Sequence, residues 1–178
     1  MKRTIKDFDL EGKKIIIRCD LNVPIENGVI TDDTRIIASL RTIKYALRFN
    51  TKIILLSHLG KIKTEEDKKK NSLYPVAERL REYLNTEVLF SPDTCSDRLT
   101  DMVNNMKEKS VLLIENTRFE DVPDKRESEC NDDLAKYWAS LGDIFINDAY
   151  GTCHRNHTSI TGIPKYLPSG VGFLVEKE

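Results

Sequence analysis

Five short apolar runs punctuate the chain, each too continuous to alternate between an inner and an outer face. They are Lys14–Asp20, Lys52–Leu56, Glu87–Phe90, Ser110–Ile114 and Asp143–Ile146, and they read as strands buried on both sides. Helical patterns separate them. Thr31-Asp32-Asp33 supplies capping oxygens, and Ile36, Ile37, Leu40, Ile43 and Leu47 follow at 3.6-residue spacing. Further helices are expected over 72–84, with Pro75 in the first turn, over 96–108, and over 132–141, ended by Gly142. Strand and helix in alternation predict an α/β fold: a three-layer, doubly wound, Rossmann-like parallel sheet with helices on both faces. The 178 residues suffice for one domain with a sizeable core.

The remaining segments are simpler. Asn27-Gly28 supplies the turn of a small hairpin over 25–30. Residues 63–70 form a solvated loop or helix face, and 120–129 read as a polar loop. The tail from Ile163 to Glu178, with Pro164, Pro168, Gly170 and Gly172, reads as a connector without a finished end.

Four of the five strands run into polar clusters. Asp20 and Asn22 follow the first, within Arg18-Cys19-Asp20-Leu21-Asn22-Val23-Pro24. Spaced i, i+2, they share a side in extended chain, and either cap the loop or meet a hydroxylated or carboxylated ligand. His58 and Lys61 follow the second strand, Arg118 the fourth, and His154, Arg155 and His157 the fifth. Arg35 stands in a helix first turn, where the dipole disfavours a cation. Parallel strands bring all these groups to one sheet edge, where open α/β sheets bind ligands. Arg18, Arg35, Lys61, Arg118 and Arg155 there make an anion site, because arginine's planar fork fits phosphate and carboxylate oxygens.

Composition narrows the function. A net charge of −1 argues against nucleic acid or a membrane surface as partner. No apolar run approaches the roughly 18 residues of a membrane span, and the N-terminus is no signal peptide. Cys19, Cys95, Cys130 and Cys153 are scattered, which suits free thiols in the cytoplasm. His154-Arg155-Asn156-His157 lacks the glutamate of HExxH and a cysteine at zinc spacing, so no metal is expected. Neither GxxxxGK[ST] nor a GxGxxG after the first strand occurs, so no nucleotide is expected on this chain.

Five stretches in order carry a resemblance: Arg18 to Pro24, Ile30-Thr31-Asp32-Asp33-Thr34-Arg35-Ile36, Ser57-His58-Leu59-Gly60, Glu115-Asn116-Thr117-Arg118-Phe119, and Asn147-Asp148-Ala149-Tyr150-Gly151-Thr152 followed by His154-Arg155. Together they resemble phosphoglycerate kinase, a two-domain glycolytic enzyme. The resemblance implies that residues 1–170 are its N-terminal, 3-phosphoglycerate-binding domain and 171–178 the start of an interdomain helix. The C-terminal domain, which would bind Mg-ATP or Mg-ADP, is then absent, and the chain alone would bind 3-phosphoglycerate or 1,3-bisphosphoglycerate without turnover. The family expectation is a cytoplasmic monomer whose partner is its own C-terminal domain.

Carried over residue by residue, Arg35 is the catalytic arginine. Asp20, Leu21, Asn22, Arg35, His58, Leu59, Gly60, Lys61, Arg118 and Arg155 bind substrate, and Arg18, His154 and His157 complete a basic patch. The chain departs from the family's usual Ser-His-Leu-Gly-Arg-Pro at Lys61-Ile62, where a point charge replaces a bidentate fork. The rival reading, a stand-alone module for phosphorylated ligands, shares the anion site but calls for a finished C-terminus.

Overall fold

A computed structural model describes residues 3–152 and 154–177. The expectations for Met1, Lys2, Cys153 and Glu178 lie outside these residues. In chain order the elements are β1 (Lys14–Arg18), β2 (Ile25–Glu26), β3 (Val29–Ile30), α1 (Thr34–Ala46), β4 (Lys52–Leu56), α2 (Glu65–Lys70), α3 (Tyr74–Tyr83), β5 (Val88–Ser91) and α4 (Asp97–Asn104). There follow β6 (Ser110–Ile114), α5 (Asp132–Ala139), β7 (Ile144–Asn147), β8 (Ser169–Val171) and α6 (Phe173–Glu176). The main sheet has six parallel strands in the order β5-β6-β4-β1-β7-β8, and β2 pairs with β3 as a separate hairpin.

The continuous apolar runs follow from a sheet covered on both faces. Successive residues of a strand point to opposite sides. Ile15, Ile17, Ile53, Leu55 and Leu113 therefore pack under α1 and α3, with Ile36, Ile43, Val76 and Leu80. Ile16, Ile54, Leu56, Leu112 and Phe145 pack on the other face under α4 and α5, with Leu99, Val103 and Trp138. The Trp138 indole is wholly buried, and its N–H donates to the Thr94 carbonyl at 2.8 Å. That bond meets the one polar demand of an otherwise apolar side chain.

The structure corrects several expectations. Part of the tail is not a connector but a sixth strand: β8 lies parallel to β7, in register Phe145↔Ser169 to Asn147↔Val171. It is three residues long with Gly170 at its centre, so it has no apolar run to announce it. Of the two readings of residues 63–70, the helix face holds: 65–70 form an unburied helix, opened by a capping box in which Thr64 and Asp67 exchange side-chain to backbone bonds. The fourth helix ends at Asn104, short of 108. Asp33 does not cap α1 with its side chain. Its carboxylate instead accepts from Arg79 of α3 at 2.6 Å and from the Tyr83 hydroxyl, while Asp32 takes the Thr34 N–H at 2.9 Å. No helix is long and apolar enough to cross a membrane among the described residues.

Candidate anion site at the carboxyl ends of the strands

The chain leaves β1 toward β4 on one side and later returns to β7 on the other. Strand order thus reverses at β1, the position where open α/β sheets form a ligand crevice. The loops after β1 and β7 come together there: a Cβ on Gly151 would lie 3.3 Å from Asp20 Oδ2.

The loops are held by hydrogen bonds between strand ends. Asp20 Oδ1 accepts the Asn22 N–H at 3.2 Å and lies 3.5 Å from Arg35 Nη1. Arg35 also donates to the Asn22 carbonyl at 2.8 Å, so the exposed guanidinium is held over the β1 loop. Asn22 Oδ1 accepts the Gly60 N–H at 2.9 Å, which leaves the Asn22 amide N–H2 as the group free to donate. Gly60 has φ +60°, a left-handed backbone that favours glycine, and a Cβ there would press on the Asn71 side chain. Asn116, fully buried, accepts from Leu59 N–H at 3.2 Å and donates to the Leu59 carbonyl at 2.7 Å, clamping the β4 loop to the β6 loop.

Behind these loops lies a cationic cluster. His58 is 6% exposed and His157 is 7% exposed. Burial, with the charges of Arg18, Arg118, Arg155 and His157 beside it, pushes the His58 pKa down to about 2. Burial likewise lowers the His157 pKa, and Arg118, Arg18 and Arg155 add to it against the opposing pull of Glu127. Both imidazoles are therefore neutral at physiological pH. Among the described residues, Arg118 Nε and His157 Nδ1 are buried without a hydrogen-bond partner. Orphaned polar groups of this kind are costly, and an anion would satisfy the Arg118 N–H. A cleft of about 520 Å³ flanks the cluster, lined by Lys61, Lys63, Arg118, Asp121 and Lys125 among others, but His58 and Arg155 are not in its walls.

A family model described as "Phosphoglycerate kinase" matches residues 5–178. The chain belongs to the phosphoglycerate kinase family. It is 57% identical to the phosphoglycerate kinase of Enterococcus faecalis, over 99% of this chain and 45% of that protein. It is 54% identical to that of Fusobacterium nucleatum, over 100% of this chain and 46% of that protein. Among solved structures, phosphoglycerate kinase from Coxiella burnetii superposes with a TM-score of 0.84 at 34% identity, covering 99% of this chain and 43% of the other. The chain thus spans about 45% of the length of the curated relatives it matches.

Of the residues read from the sequence, Asp20, Asn22, Arg35 and Gly60 are linked to one another by hydrogen bonds and an ion pair. Lys61 and Arg118 line the adjoining cleft, His58 and His157 are buried, and His154 and Arg155 are exposed in the loop after β7. Leu21 and Leu59 are buried, and only their backbones face the loops. Arg18 is not part of the open patch. It is wholly buried, and its guanidinium is spent on Ser159 Oγ at 2.8 Å, the Cys19 carbonyl and His58 Nδ1 at 3.0 Å. Sequence reasoning passed over Glu127 and Asn71. Glu127 lay in a stretch read as a polar loop, where nothing in the local pattern sets it apart from the charged residues around it.

Proposed function

We propose that this chain is the 3-phosphoglycerate-binding part of a phosphoglycerate kinase, acting on 3-phosphoglycerate and 1,3-bisphosphoglycerate in glycolysis. The observation that carries the reading is the buried Arg118 Nε without a partner, set among His58, Arg155 and His157 at the crevice. Arg118, Arg155, Lys61 and the neutral N–H of His58 hold the 3-phosphate. Asp20 and Asn22 address the hydroxyl and carboxylate end. Arg35, half exposed beside them, stabilises charge on the phosphoryl group as it transfers, a contact that acts by position and electrostatics. Mg-ATP or Mg-ADP is held by the portion of the relatives beyond this chain's span, so the chain binds without turning over. The reading carries with it a cytoplasmic monomer whose partner is its own nucleotide domain.

Calorimetric titration tests this. Heat with 3-phosphoglycerate, weakening as salt rises, and none with Mg-ATP is the expected result. A folded chain silent toward 3-phosphoglycerate would overturn it, and so would phosphoryl transfer by the chain alone.

A further inference from the structure

We propose that Glu127 is a positioning residue of this anion site: through Ser159 and Arg18 it holds His58 as the imidazole that carries its proton on Nε2. The inference rests on the 3-phosphoglycerate reading for its purpose, but not for its geometry. Glu127 lies on the crossing from β6 to α5, outside every motif named above, and is wholly buried. Its Oε1 accepts the Ser159 N–H at 2.9 Å, and its Oε2 accepts the Ser159 hydroxyl at 2.5 Å. A serine hydroxyl has one proton, and here it goes to Glu127. The oxygen's lone pairs are therefore left for Arg18, whose Nε–H donates at 2.8 Å.

Arg18 carries the constraint on to His58. A guanidinium has no acceptor, so its 3.0 Å contact with His58 Nδ1 exists only where Nδ1 is the acceptor. A neutral imidazole must then keep its proton on Nε2. His58 meets an anion as a fixed N–H donor rather than as a titrating cation. Glu127 is also the countercharge that a wholly buried arginine requires.

Glu127 has a plainer use, since its backbone N–H donates to Asp121 Oδ1 at 3.1 Å and its carbonyl accepts from Thr158 at 2.9 Å. Those backbone bonds survive in Glu127→Gln. The side chain does not behave alike: a glutamine amide N–H2 facing Ser159 Oγ would donate where the carboxylate accepts. The serine proton would then have no acceptor, because Arg18 offers none.

The readout is the pair of ¹⁵N imidazole shifts of His58, measured without ligand. In the unaltered chain a single Nε2–H tautomer is expected, and a His58 protonated on Nδ1 would overturn the proposal by itself. In Glu127→Gln the two tautomers should mix, and affinity for 3-phosphoglycerate should fall about tenfold, as for one lost charged hydrogen bond. A folded Glu127→Gln chain that keeps the single tautomer would overturn it. Should that variant fail to fold, Ser159→Ala removes only the bridging hydroxyl, and the same two results decide. Absence of 3-phosphoglycerate binding in the unaltered chain would remove the functional reading, while the tautomer still scores the role of Glu127.

Discussion

The charge at this site is divided between residues that face solvent and residues that are already spent. Arg18 makes its bonds inward, whereas Arg118 has its Nε buried and unmatched among the described residues. Lys61 is exposed and offers a hydrated point charge. Removing each should therefore have unequal effects on 3-phosphoglycerate binding. Arg118→Ala should cost about 1.5–3 kcal/mol, the range for a hydrogen bond to a charged group. Lys61→Ala should cost below about 1 kcal/mol, as exposed pairs do. Calorimetry on both variants checks this, and equal losses would place Lys61 in the site on the same footing as Arg118. Most of these side chains were legible because each follows an apolar run. Glu127 and Ser159 were not, because their meaning lies in contacts spanning 32 and 141 residues, which no local pattern encodes.

At the level of elements, the beginning of α6 is tied to the end of β7 by a buried carboxylate. Asp148 is wholly buried, and its Oδ1 accepts the Leu174 N–H at 2.9 Å at the positive end of α6. The Thr42 hydroxyl of α1 accepts the Phe173 N–H at 3.1 Å, so three elements meet at this point. Burial raises the Asp148 pKa from 3.8 to about 6, against the lowering effect of bonds from Thr42, Leu174 and Val175. A carboxyl raised on folding stabilises the folded state fully below its unfolded pKa, and that stabilisation is lost as pH rises through about 6. Between about pH 7 and about pH 4.5, Asp148 should therefore add about 2 kcal/mol relative to Asp148→Asn, which cannot titrate. Urea unfolding of both chains at the two pH values measures the difference, and a gap that stays constant would contradict the burial argument. The polar residue of Asn147-Asp148-Ala149 was visible in the sequence, whereas a helix within 171–178 was expected only from the family resemblance and not from local pattern. A strand of three residues and a helix of four carry too little periodicity to be read locally, and pairing with β7 and α1 creates them.

Across the whole molecule, the layered architecture was readable because a doubly covered sheet writes itself as continuous apolar runs between amphipathic helices. The two core clusters divide the strand residues by parity, as that reading requires. Strand order was not readable, since neither apolar run nor helix spacing says that β7 returns beside β1. That return brings Gly151 beside Asp20, and Arg155 to the cluster of Arg118 and His58. This reversal point is the proposed 3-phosphoglycerate site. Titrating the isotopically labelled chain with 3-phosphoglycerate, and following its backbone amide signals, tests the assignment. The expected result is a set of saturable shifts confined to Asn22, Gly60, Arg118 and Arg155 and their neighbours at the carboxyl ends of the strands. Shifts centred elsewhere, such as the groove between Val29 and Arg79 on the hairpin side, would contradict it, as would an unchanged spectrum of a folded chain.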